Sequence, residues 1–69
     1  IEVTIYSKKE MDYTIQILDL TGRLVSHNSD QLNPGSTILN LQKPDISGMY
    51  IVALHFGNGK RTTERVLVF

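Results

Sequence analysis

Apolar and polar positions alternate with a period of two through much of this chain, and β-branched residues fill many of the apolar slots. That pattern predicts strands, and no window sustains the i, i+3, i+4, i+7 spacing of an amphipathic helix. The first strand spans Ile1 to Tyr6, with Ile1, Val3 and Ile5 on one face and Glu2 and Thr4 on the other. After the polar stretch "SKKEM", a second strand runs from about Tyr13 to Asp19 and buries Tyr13, Ile15 and Ile17. A third begins near Arg23 and fades into "HNSDQLNPG". Within that segment Asn33-Pro34-Gly35 is a turn signal, because proline fixes φ and glycine accepts a positive one. Thr37 to Leu41 form the fourth strand, and the loop "QKPDISG" carries Ile46 as an apolar plug.

Met49 to Phe56 are apolar on both faces, which predicts a fifth strand at the centre of its sheet. "GNGK" predicts a two-residue type I′ loop at Asn58-Gly59. The sixth strand, Arg61 to Phe69, then pairs antiparallel with the fifth, and this turn sets Ile51 against Val66 and Tyr50 against Leu67. Six to seven short strands punctuated by turns predict an all-β fold, a small Ig-like antiparallel β-sandwich.

Composition narrows this picture. Sixty-nine residues without a linker make one domain, residues 1–69. A domain of that size buries only about 60% of the surface its unfolded chain exposes. There is no cysteine, and the two histidines, His27 and His55, stand alone, so neither disulfide nor metal is expected to staple the fold and no cofactor is implied. Seven basic residues balance seven acidic ones, which offers no field for nucleic acid. No apolar run approaches the roughly 18 residues of a membrane span, and the start of the chain lacks the order of a signal peptide. The expectation is a soluble segment with no transmembrane span.

Candidate chemistry concentrates in turns. In "LDLTGR", Leu20-Thr21 fit a type I turn and Gly22 a left-handed G1 bulge, while Asp19 accepts N–H bonds from the turn. Arg23 is not demanded by the hairpin, and serves either as a surface partner of Asp19 or as a recognition contact. Neither histidine stands at motif spacing from an acid or a serine, and no nucleophile elbow or metal-ligand pattern exists, so no enzyme is expected. Lys8-Lys9 and Lys60-Arg61 read as solvated charges beside turns. The aromatics fall mostly on the apolar alternation, which favours core packing over a stacking platform. Gly48 enters the central strand, and Tyr50 reads as a core ring whose hydroxyl reaches a loop carbonyl.

In sum these pieces resemble the type A C-terminal sorting domain of type IX secretion cargo. Asp19, Gly22, Arg23 and Val25 match a D-x-x-G-R-x-V element, and Gly48, Tyr50 and Val52 match G-x-Y-x-V. Asn58-Gly59-Lys60 matches an "NGK" hairpin and "TERVLVF" a Val-rich closing strand. The family's Asn-Pro pair would lie before Ile1, and Arg61 and Arg65 carry charge where the family often has lysine. The match runs over nearly the whole chain.

The resemblance implies a non-catalytic address label fused behind a cargo protein. Such a label is read in the periplasm by the type IX translocon, directs its cargo across the outer membrane, and is presented to a sortase before surface attachment or release. Recognition is then expected at Arg23, at Lys60, Arg61 and Arg65, and along Val66, Leu67, Val68 and Phe69. Asp19, Gly22, Gly48, Tyr50, Asn58 and Gly59 form the structural motif. The apolar final strand also suggests a homodimer or strand swap in isolation. The alternative is a generic Ig-like or fibronectin-like interaction or adhesin spacer module.

Overall fold

The computed structural model describes residues 1–69. Six strands form in the order β1 (Glu2–Ser7), β2 (Met11–Asp19), β3 (Leu24–Leu32), β4 (Gly35–Asn40), β5 (Gly48–Phe56) and β6 (Arg61–Val68). They assemble an all-β sandwich in which a two-stranded sheet, β1-β4, lies on a four-stranded sheet of order β3-β2-β5-β6. Every pairing is antiparallel. The most apolar strands, β2 and β5, take the two central places, where both edges are hydrogen-bonded and one face meets the second sheet.

The core is the alternation made physical. Tyr13, Ile15 and Ile17 of β2 lie beside Tyr50, Val52 and Leu54 of β5, and Ile5, Leu32 and Val68 close the cluster. Ile15, Ile17 and Leu32 are almost fully buried, and such side chains each contribute about 1.5–3 kcal/mol relative to exposure. Ile1 and Leu41 exchange backbone bonds of 2.9 and 2.7 Å, which ties the chain start to the segment after β4.

Four local expectations are corrected. First, β3 does not fade: it runs to Leu32 although all its residues before Leu32 are exposed. Its inward positions carry Ser26, Asn28 and Asp30, and the ladder to β2 holds it, helped by a 2.9 Å Thr14–Ser29 hydroxyl bond. Leu32 then anchors its end in the core. Second, β4 starts at Gly35, whose φ of 106° lets the chain cross from one sheet to the other, and stops at Asn40.

Third, Ile46 is no plug, since its side chain is 73% exposed. Pro44 is the buried residue of that loop, and Ile46 contributes its carbonyl, which accepts the Tyr50 hydroxyl at 2.6 Å. Fourth, the β5–β6 hairpin is not type I′. No residue other than glycine has positive φ, so Asn58 cannot take the first I′ position. Instead Gly57-Asn58 form a type I turn, closed by Gly59 N–H to Phe56 C=O at 3.0 Å and by Phe56 N–H to Lys60 C=O at 2.8 Å. Gly59 takes the left-handed bulge at φ 89°. One extra loop residue shifts the register by one, so Tyr50 faces Val66 and Ile51 faces Arg65. Val66 and Val68 thereby keep the core side, while Leu67 and Phe69 point outward, 54% and 84% exposed. Tyr6 also stands outside the core, at 70%.

Candidate functional site

The β2–β3 corner is the most densely bonded polar feature of the molecule. Gly22 N–H donates to Asp19 C=O at 3.0 Å and Asp19 N–H to Arg23 C=O at 3.0 Å, with Gly22 at φ 89°. This is a type I turn with a G1 bulge, and nothing lies within 4 Å of where a Gly22 Cβ would sit, so backbone conformation alone demands the glycine. A second irregularity, between Ile17 and Leu18, opposes Leu18 to Leu24 and Ile17 to Ser26, which leaves Val25 as the extra residue.

The Asp19 carboxylate organises the corner. Oδ1 accepts the Thr21 N–H at 3.0 Å, the Thr21 hydroxyl at 2.6 Å and the Arg23 N–H at 2.9 Å. Oδ2 accepts Arg23 Nε at 3.1 Å. The Thr21 hydroxyl bond, followed by the Arg23 N–H bond, holds the carboxyl below its ordinary value of 3.8. Arg23 is thus fixed through Nε, while its side chain is 77% exposed and its two terminal nitrogens keep their donors free. The corner presents an oriented guanidinium fork.

Beside that fork runs a groove of about 420 Å³ between the corner and the β4–β5 loop. Leu20, Val25, Ile46 and Met49 line it, all of them exposed apolar side chains. The pairing of Met49 with Leu67 brings Leu67 to the same end of the sandwich. Sequence reasoning did not mark Leu20 or Met49 as site residues. Their only signal was an apolar side chain in a turn and at the outward phase of a strand entry.

The expected recognition residues do not form one patch. Arg23, Leu67 and Phe69 belong to the Asp19 end, because Asp19 pairs with Tyr50 and Gly48 with Val68. Lys60 and Arg61 belong to the opposite end, where Lys60 lines a groove with Lys8, Lys9, Tyr6 and Phe56 and Arg61 pairs with His55. The β2 segment from Asp19 to Tyr13 separates them, about 20 Å at ~3.4 Å per residue. Arg65 sits midway, opposite Ile51, and Val66 and Val68 are turned into the core. Gly48 opens β5, Tyr50 ties that strand to the loop before it, and the Asn58 side chain accepts the Lys60 N–H at 3.0 Å. His27 and His55 stand on β3 and β5, and no group of three or more His, Cys, Asp or Glu is placed to hold a metal. No helix is long and apolar enough to cross a membrane.

Fold and corner together define a small antiparallel β-sandwich with two glycine-closed hairpins and one prominent arginine. The chain belongs to the secretion system C-terminal sorting domain family, whose model matches residues 1–68. That family marks type IX secretion, so the domain is a sorting signal that interacts with the secretion machinery and leads to the cell surface or to release. Sorting domains of this kind are in general non-catalytic. Comparisons with curated proteins and with solved structures gave no significant match.

Proposed function

We propose that the secretion machinery reads this domain at its Asp19 end, with the Arg23 guanidinium as the polar contact and the neighbouring apolar groove as the surface it seats on. The supporting observation is the Asp19 network, which spends one carboxylate on holding Arg23 in place and leaves its terminal donors to solvent. Orienting the fork before contact lowers the entropy lost on docking. In this reading the folded label waits in the periplasm and engages the translocon. It carries an upstream cargo through the outer membrane, and is then presented to a sortase for cleavage and surface attachment.

The test fuses residues 1–69 to a reporter already routed to the periplasm. Surface and medium signal are compared in a type IX-competent strain and in a translocon-deficient one. Export confined to the competent strain supports the reading, and retention of a folded fusion in both overturns it in favour of a plain interaction module. Arg23→Ala in the same fusion tests the named contact.

A further inference from the structure

All four outer strand edges of the sandwich are unpaired, yet they differ in what lies beneath them. Under β3 the inward side chains between Val25 and Leu32 are polar: Ser26, Asn28 and Asp30. Under β6 an apolar groove of about 540 Å³ opens toward the free edge of β1, floored by Val52, Leu54 and Phe56. Phe56 N–H donates to Lys60 C=O, and antiparallel ladders alternate, so Thr62, Glu64 and Val66 bond to β5. Arg61, Thr63, Arg65 and Leu67 therefore direct their own N–H and C=O groups to the open side. Register puts the side chains of Arg61 and Arg65 on the outer face and that of Glu64 on the groove face.

From this juxtaposition we propose that β6 is a docking edge for an extended segment of a partner protein, added antiparallel to it. The segment presents acids opposite Arg61 and Arg65, a cation opposite Glu64, and apolar side chains opposite Thr62 and Val66 that fill the groove. Charge complementarity selects this occupant over a second copy. Of the two-fold registers that pair five or more residues of β6 with another β6, three set Arg61 against Arg65, Glu64 against Glu64, or Arg65 against Arg65; the fourth, centred on Val66, sets Arg65 against Leu67, and in none does Glu64 face an arginine. Like charges directly opposite destabilise an antiparallel pair. The lone inward Glu64 also discourages an indiscriminate apolar strand. Backbone bonds supply affinity and alternate side chains supply selection, as in other strand additions.

The inference rests on the reading that secretion machinery engages this domain, and its test is separate from that of the reading. Isotope-labelled protein is titrated with the end-capped peptide Thr-Val-Glu-Lys-Thr-Val-Glu, and with Thr-Val-Lys-Glu-Thr-Val-Lys, which reverses the charges. The first should slow amide exchange at Thr63, Arg65 and Leu67, and should bind about tenfold more tightly than the second, since three cross-strand charge pairs are inverted. Arg61→Glu with Arg65→Glu, both at exposed positions, should move the preference toward the second peptide. Equal binding of both peptides, protection on another strand, or no protection overturns the proposal. In the reporter fusion, wild-type export with no effect of the double variant also overturns it and leaves the sorting reading intact. Absence of any translocon-dependent export overturns the reading, while the titration still decides the edge.

Discussion

The two glycine-closed hairpins, Asp19 to Arg23 and Phe56 to Lys60, have one backbone and two chemistries. Each is a type I turn whose glycine, Gly22 or Gly59, sits at φ 89° as a bulge. In the second corner Asn58 contributes a single side-chain bond, to the Lys60 N–H. In the first, one carboxylate takes four bonds and fixes an arginine. A glycine suffices to make the corner, so the extra bonding around Asp19 is more than a hairpin requires. That surplus is what a contact surface needs, because it presents a charged fork in one orientation.

The most damaging changes should be those at what the corners share. Gly22→Val and Gly59→Val each force a β-branched residue into positive φ and should cost about 1–3 kcal/mol. Since nothing lies within 4 Å of either absent Cβ, the two losses should be similar, and asparagine at either position should recover much of each. Thermal unfolding of the four variants checks this. A loss at one corner only would show that the two backbones are not equivalent.

Next comes Tyr50→Phe, which keeps the ring in the core and removes the 2.6 Å bond to the Ile46 carbonyl. The expected cost is about 1 kcal/mol, or roughly 4–8 °C in melting temperature for a domain of this size. Amide exchange at Ser47 should rise with it, because that bond restrains the β4–β5 loop beside the groove. A melting temperature equal to wild type would mean that the loop is held by Pro44 burial alone.

How far the sequence foretold these features depends on whether the determining interaction is local. The alternation of Ile15 and Ile17 with Thr14 and Gln16 made β2 readable, as did the apolar run of β5, and the Asp19-Gly22 spacing specified its turn. β3 was obscured because "SHNSDQ" has no apolar phase, and only the ladder to β2 and the distant anchor Leu32 make it a strand. The β5–β6 register was misread because Gly57-Asn58-Gly59 supports either loop, and a shift of one residue exchanges every inward and outward side chain. Packing decides it, since only the observed register buries Val68 and half-buries Val66. Leu20 lies far in sequence from Ile46 and Met49, so the groove they share becomes visible only once the β2–β3 corner meets the β4–β5 loop at one end.

Asp19→Ala should lower stability more than Asn58→Ala, in line with the number of bonds each removes, and the difference should depend on pH. The Asp19 carboxyl is held below 3.8, so in acid the unfolded chain binds this proton first. Its contribution is complete above that ordinary value and disappears as pH falls through the lower folded value. The gap in melting temperature between wild type and Asp19→Ala should therefore be wide at about pH 6 and shrink steadily below about pH 4. A gap that persists unchanged to about pH 2 would assign the effect to packing rather than to the ionised carboxylate.

Arg23→Ala should have the smallest effect on the fold and the one that separates the corners by role. Its exposed side chain contributes only a screened ion pair, while Thr21 and the Arg23 backbone N–H, which the substitution retains, still satisfy Asp19. The melting temperature should remain close to wild type while export of the reporter fusion falls. Lys60→Ala provides the matched comparison, since its backbone N–H, not its side chain, bonds Asn58. Equal export defects would point to a diffuse charge requirement spread over both ends. A defect confined to Arg23 would show that machinery reads the corner where a carboxylate holds the cation still.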